Sequence, residues 1–280
     1  MTQKIANYSI HLLLILGAIV MVMPFAWMVS TSLKSQNEVF SYPPQWIPTT
    51  PIWDNYIRAW QAAPFPQYFA NSIIIALAVT VGTLITSSLA AYAFARLRFP
   101  GRDALFAIYL SSMMIPHQMT IIPSFLVLRN LGEISPALGL DTYFALIAPF
   151  LAGAFGVFLL RQSFLTIPNE LEDAATLDGC GRLGFLWRIM IPLSRPALAT
   201  LGLFTFMGNW NSYLWPLIVT NSDTMRTVQI GLRYFVGQEG GSQWGLLMSA
   251  AVFITFPVVI VYLFVQKQFV QGIAGTGIKQ

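Results

Sequence analysis

The chain has 280 residues, 56% of them hydrophobic and only 9% charged, with a net charge of +4. A water-soluble globular enzyme carries about a quarter charged residues, so the composition excludes that class and leaves an integral membrane protein. The single cysteine, Cys180, excludes an internal disulfide and a cysteine metal cluster.

A helix that crosses a bilayer needs roughly 20 residues with few or no charges. Six stretches of 19 or more residues lack Asp, Glu, Lys and Arg: Lys4 to Lys34, Arg58 to Arg96, Asp103 to Arg129, Asp141 to Arg161, Arg195 to Asp223 and Glu239 to Lys267. Trimmed at turn residues, they predict spans near 10–30, 71–95, 104–128, 142–160, 197–220 and 244–265. Runs such as "SIIIALAVTVGTLITSSLAAYAFA" are apolar all round and show no barrel-type alternation. Helices satisfy their own backbone groups, so the expected fold is an all-α membrane protein with six transmembrane helices. One transmembrane domain covers 1–280.

Span one is too long for a signal-peptide core, and no small-residue cleavage site follows "MVMPFAWMVS". It is expected to be retained. The segment 31–70 is broken by prolines, and its Trp and Tyr suit an interfacial belt. A short basic turn, "RLRFPGRD", joins spans two and three, and "RNLGEISPALGLD" separates spans three and four. The segment "NSDTMRTVQIGLRYFVGQEGGSQW" has room for a short surface helix, and the glycine-rich tail "GIAGTGIK" reads as irregular.

An even number of spans places both termini on one side. With that side cytoplasmic, Lys4, Arg96, Arg98, Arg102, Arg161, Arg182, Arg188, Arg195, Lys267 and Lys279 lie inside. Lys34, Arg58, Arg129, Arg226 and Arg233 lie outside, so basic residues divide ten to five. The positive-inside rule therefore predicts cytoplasmic termini.

The loop 161–196 between spans four and five then faces the cytoplasm. It gathers Glu170, Glu172, Asp173 and Asp178 within nine residues. Asn169–Asp178 reads as a short helix: Pro168 suits a first turn, the acids lie near the positive end of the dipole, and Gly179 is a natural left-handed stop. Leu171, Ala174, Ala175 and Asp178 recur at spacings of three and four. The alanines would keep that face flat for close approach by another surface. Leu183–Ile189 reads as a second short helix, and Pro192 and Pro196 end the loop. A helix lying on the membrane would carry Lys and Arg to meet lipid phosphates; this one is acidic, which points to docking with a protein.

"DAATLDGCGRLGFLWRIMIP" resembles the cytoplasmic loop of bacterial ABC-importer permeases, a pattern close to E-A-A-x-x-D-G-A followed by I-x-x-P. Asp173, Ala174, Ala175, Asp178, Gly179, Ile189 and Pro192 occupy the matching positions. Asp173 replaces the usual Glu and keeps the charge; Cys180 replaces the usual small Ala. "GNWNSYLWPLIV" and "GIAGTGIK" also resemble the carbohydrate branch, in particular the shorter permease subunit of maltose-type importers.

The resemblance implies a coupling helix, with Glu170, Leu171, Asp173, Ala174, Ala175, Asp178 and Gly179 meeting an ATPase dimer. Docking would extend over the loop 169–192 and the tail 272–280. It also implies a second homologous permease, an extracytoplasmic substrate-binding protein, and a place in the bacterial inner membrane. The expected cargo is a sugar, oligosaccharide or polyol derivative such as glycerol phosphate; a polyamine or other small solute is the alternative within the class. None of the lysines Lys4, Lys34, Lys267 and Lys279 follows a glycine, so no G-x-x-x-x-G-K-[ST] loop is present. The chain is expected to bind no cofactor, with ATP and Mg on the partner ATPase. No metal site, nucleic-acid signal or catalytic constellation is expected, so the chain is not read as an enzyme.

Polar groups inside spans are costly and mark candidate sites. Asn209, Trp210, Asn211, Ser212 and Tyr213 fall near the middle of span five. Contact with a sugar and hydrogen-bonded packing between helices both fit them. His117 and Gln118, beside Pro116, fall at mid-depth of span three. His117 suits a cavity-lining or structural role better than a proton relay, because no acidic partner lies in the spans. His11 is expected at the inner interface. Gly82, Ser87, Ser88, Ala90, Ala91, Gly153 and Gly156 suit close helix packing, as do Met113 and Met114. An ion-coupled transporter working alone is the rival from another class. It would carry buried carboxylates or broken-helix ion sites, and the charge-free spans argue against it.

Overall fold

The computed structural model describes residues 2–236 and 243–274. The chain is all-α, with no strand among the described residues. Among the described residues, the α-helices of at least five residues are α1 (Thr2–Ser32), α2 (Asp54–Gln61), α3 (Phe65–Arg96), α4 (Arg102–Ser111), α5 (His117–Ile134), α6 (Tyr143–Ile147), α7 (Ala154–Leu165), α8 (Glu170–Leu177), α9 (Arg195–Trp210), α10 (Leu214–Val219) and α11 (Trp244–Ala274).

Four segments are long and apolar enough to cross a membrane: Ser9–Ser32, Phe65–Arg96, Pro136–Leu165 and Trp244–Lys267. Two further candidates are bent pairs. Arg102–Met114 meets His117–Ile134 at 98°, and Arg182–Leu193 meets Arg195–Trp210 at 82°. Six crossings result only when each pair is one crossing.

Several spans differ from the simple rods that the charge-free stretches predict. Span three is broken at Ile115–Pro116. Pro116 has no N–H to donate and pushes Ile115 into the extended conformation (φ −83°, ψ 114°). Span four is interrupted between Ile147 and Ala154 by a 3-10 turn at Ala148–Phe150 and by an extended Gly153. Span five ends as a helix at Trp210 and resumes at Leu214.

Span two begins at Phe65, and α5 continues through Arg129 and Glu133 to Ile134. Charged residues can therefore end an apolar run without ending the helix. The tail begun by Gly272 is helical as far as Ala274, contrary to the irregular expectation. Residues 275–280, the rest of the 272–280 docking expectation, lie outside the described residues.

The chain divides into two compact units. One comprises Met1–Phe65 and Ile230–Pro257. Here α1 is exposed along residues 9–26, an apolar surface suited to lipid or another helix. The stretch after α1 is held by buried polar groups. Asn55 Nδ2 donates to the carbonyls of Ser32 (2.9 Å) and Lys34 (3.0 Å), and Ser249 Oγ donates to the Ser32 carbonyl (3.1 Å). The buried Lys34 ammonium lies 4.1 Å from the Trp27 ring centroid and donates to the Gln45 carbonyl. Burial pushes its pKa below the ordinary lysine value, and Glu38 partly opposes this.

The other unit comprises Pro66–Gln229 and Val258–Gln280. One cluster packs Ala91, Tyr92, Val157, Leu160 and Phe164 against Ala175, Phe185, Leu186, Met190 and Leu201. It therefore joins α3, α7 and α9 to the loop between α7 and α9. A second cluster around Val79, Leu146, Trp215 and Val219 holds the opposite end. There the buried Asn71 donates to the carbonyls of Thr224 and Arg226 (2.8 Å each) and accepts from Tyr143 Oη (2.8 Å).

Candidate functional site

The acidic helix forms where the spacing predicts it, over Glu170–Leu177, with Glu170, Glu172 and Asp173 in its first turn. Gly179 has φ +76° and donates its N–H to Thr176 (3.0 Å), while the Cys180 N–H reaches Ala175 (2.8 Å). This left-handed residue lets the chain turn back toward its own core. The Cys180 sulfur occupies the space over Gly184: a Cβ there would stand 2.9 Å from it. The second helical stretch starts at Arg182 and widens into a π-turn over Leu186–Met190 before Ile191–Leu193. A π-turn accommodates the N–H that Pro192 lacks.

The four residues predicted to share one face are divided. Ala175 is 6% exposed and belongs to the core cluster. Leu171, Ala174 and Asp178 are exposed, together with Glu170, Asp173 and Gly179. Leu177, not singled out in the sequence, is 90% exposed. The structure thus presents a small acidic ridge, seated on its parent core through Ala175.

Sequence reasoning missed the residue that anchors this ridge. Arg96, the last residue of α3, has a side chain only 4% exposed. It donates to the carbonyls of Phe164 (2.9 Å) and Ile167 (2.5 Å) and to the Asn169 side-chain oxygen. Its guanidinium also lies 3.8 Å from the Glu172 carboxylate. Asn169 stands at the start of α8 but makes no capping bond with its side chain. A cation at a helix C-terminus is the available signal for such a role; in the sequence, Arg96 counted only toward orientation.

The polar residues of spans three and five fall at the helix breaks. His117 and Gln118, both exposed, open α5 immediately after the Pro116 break. Asn211, Ser212 and Tyr213 form the break between α9 and α10. The Phe150 ring, at the break in span four, lies 5.7 Å from His117 and 6.1 Å from Trp215. Three interrupted helices therefore meet through one aromatic row. Broken backbone at membrane depth is tolerated where it lines a water-filled cavity or is buried in protein.

The individual residues differ in freedom. Trp210 is 1% exposed, stacks on Phe206 at 5.8 Å and meets Phe69 edge-on at 5.9 Å. Asn209 donates to the Thr205 carbonyl of its own helix (2.8 Å). Asn211 accepts from Gln229 (3.3 Å) and is exposed, and Tyr213 is 40% exposed. No group of three or more His, Cys, Asp or Glu able to hold a metal occurs among the described residues.

Several apolar helices long enough to cross a membrane, others broken midway, and a short acidic helix on the loop between α7 and α9 are the features of a membrane permease. Residues 82–275 match the family described as "Binding-protein-dependent transport system inner membrane component", and the chain belongs to that family. It is similar to the sn-glycerol-3-phosphate transport system permease protein UgpE of Yersinia enterocolitica. The two are 37% identical over 271 residues, 94% of each chain. The protein of that name from Rhizobium meliloti is 35% identical over 282 residues, covering 98% of each.

Among solved structures, a chain of a bacterial ABC transporter involved in the import of the acidic polysaccharide alginate matches with a TM-score of 0.80 at 29% identity. The match covers 96% of this chain and 98% of that one. A second alginate transporter chain shares the fold, with a TM-score of 0.64 at 17% identity over 94% of both. The chain is a multi-pass permease subunit of an ABC importer, a transport component and not an enzyme.

Proposed function

We propose that this permease imports a small anionic polyol phosphate of the sn-glycerol 3-phosphate type. In this reading Glu170–Asp178 receives the ATPase dimer on the cytoplasmic face, which holds both termini, and six crossings span the membrane. A second homologous permease completes the pathway. An extracytoplasmic binding protein delivers the substrate, and ATP and Mg bind only to the ATPase. Permeases named for sn-glycerol 3-phosphate match nearly the whole chain at 35–37% identity, against 29% for the alginate permease, and this supports the cargo class.

The observation that carries the coupling role is the seating of α8. Ala175 and the Arg96 bonds hold its inner side, while Leu171, Asp173, Ala174 and Leu177 are exposed. A push on the exposed ridge is passed to α7 through residues 166–169 and to α9 through Ile191–Arg195. ATP closure on another chain then biases the inward- against the outward-facing state. The exposed Asn211, Tyr213, His117 and Gln118 at the helix breaks are the pathway residues, and Trp210 packs behind them.

Calorimetric titration of the cognate binding protein with sn-glycerol 3-phosphate, an alginate oligosaccharide, maltose and putrescine tests the cargo. Binding of the first alone is expected; binding of putrescine or maltose alone would overturn the cargo class. Labelling of Leu177→Cys by an impermeant maleimide in intact cells tests orientation. No labelling until the membrane is opened is expected.

A further inference from the structure

Span two is bonded to span four at successive levels. Thr83 Oγ1 donates to the Phe150 carbonyl (3.0 Å), and Thr86 Oγ1 donates to the Leu151 carbonyl (2.5 Å). Lower down, the two helices exchange arginines. Arg161 of α7 donates from Nε to the Phe94 carbonyl of α3 (3.2 Å). Arg96 of α3 donates to the carbonyl of Phe164 in the last turn of α7, to that of Ile167 in the link beyond it, and to the Asn169 side-chain oxygen at the root of α8. Arg161 thus reaches a carbonyl in the last turn of α3, while Arg96 shares the Phe164 carbonyl in the last turn of α7 with the Ile167 N–H and takes the Ile167 carbonyl just beyond it.

We infer that Arg96 is a positioning residue that makes span two part of the body moved by the ATPase, by tying the end of α3 to the root of the acidic helix. This rests on the proposed docking at Glu170–Asp178. The backbone leads from α8 directly only to α7 and α9; α3 ends 74 residues before α8 begins. Apolar contact holds helices weakly against sliding in lipid, because lipid tails are as apolar as leucine. Directional bonds from a buried guanidinium fix both register and distance. A lysine at 96 would offer one point charge without the planar fork that reaches three acceptors at once. Asn169 supports the assignment, since its oxygen goes to Arg96 instead of capping its own helix.

The test uses the full complex, co-purified with its ATPase in a Cys180→Ala background. Spin labels are placed at the exposed positions Arg98→Cys and Leu165→Cys, both outside the proposed docking helix, and their separation is measured without nucleotide and with ATP and vanadate. In the parent the separation stays constant, because the two sites ride on one body. With Arg96→Ala it shifts on nucleotide binding, and transport of sn-glycerol 3-phosphate per ATP hydrolysed falls about tenfold or more, within the usual range for coupling between sites. Arg96→Lys gives a partial loss, and Asn169→Ala a smaller one.

A general folding defect would lower ATPase recovery and transport together and leave their ratio unchanged. Should Arg96→Ala fail to assemble, Arg96→Lys and Asn169→Ala decide. A parent-like separation and transport-to-ATP ratio in these variants would overturn the inference. Failure of the parent itself to retain an ATPase would overturn the docking reading, and this inference with it.

Discussion

A Cβ on Gly156 would stand 2.5 Å from Ser87 Oγ and 3.2 Å from two Leu201 methyls. Spans two and four therefore approach closely enough here that a methyl at 156 would have to displace the Ser87 hydroxyl. Gly156→Ala makes the Ser87 and Leu201 side chains give way and is expected to cost about 1–3 kcal/mol, the usual range for overpacking. Thermal unfolding in detergent should show the loss. Gly156→Ala combined with Ser87→Ala should recover part of it, because the two residues are coupled by contact.

Gly179 separates backbone strain from crowding. Its φ is +76°, and nothing lies within 4 Å of a Cβ built there. Gly179→Val should cost roughly 1–2 kcal/mol through the left-handed backbone alone. The local turn would rearrange, tilt the acidic ridge and uncouple transport from ATP hydrolysis while membrane insertion persists. Gly179→Asn, which tolerates that conformation, should retain most coupling. Substrate uptake per ATP in proteoliposomes compares the two.

Trp210 and Tyr213 are neighbours in sequence with different expected phenotypes. Trp210 is buried and stacked on Phe206, so Trp210→Ala should destabilise the protein by about 3–5 kcal/mol. Tyr213 is 40% exposed beside the helix break, so Tyr213→Ala should leave the melting temperature nearly unchanged and lower uptake. Equal losses of stability in the two variants would remove Tyr213 from the pathway.

Acid should loosen the segment after α1. The Glu38 carboxylate accepts from the Thr49 hydroxyl (2.6 Å) and backbone N–H (2.7 Å), and these bonds hold its pKa below the ordinary glutamate value. The folded pKa is the lower one. The contribution is thus present above the unfolded value, about 4.3, and is lost as pH falls through the folded value. Proteolysis between residues 38 and 49 should accelerate below about pH 4, and Glu38→Gln should abolish that pH dependence.

Two parts of the candidate site differed in legibility. The α8 helix was readable because helix length, first-turn acids and the Gly179 stop are local signals. Its exposed face was not, because adjacent residues such as Ala174 and Ala175 point about 100° apart on a helix. Which of them turns inward depends on the core below. Pro116 was a local signal of a break, but Gly153, expected at a close helix contact, lies instead at an extended break with nothing within 4 Å of a Cβ built there, and nothing local announced the break at Asn211–Tyr213. The meeting of the broken spans at Phe150 depends on contacts between residues 117, 150 and 215.

By itself the sequence determined an all-helical membrane chain with an acidic loop helix, because hydrocarbon excludes charge and unsatisfied backbone, and the chain records both locally. Tertiary structure alone decided that Arg96 closes the end of one span onto the root of the acidic helix. It likewise decided that Trp210 packs while Tyr213 remains exposed. Those outcomes depend on which carbonyls and rings come together across long separations in the chain, and apolar helices carry almost no local mark of their neighbours.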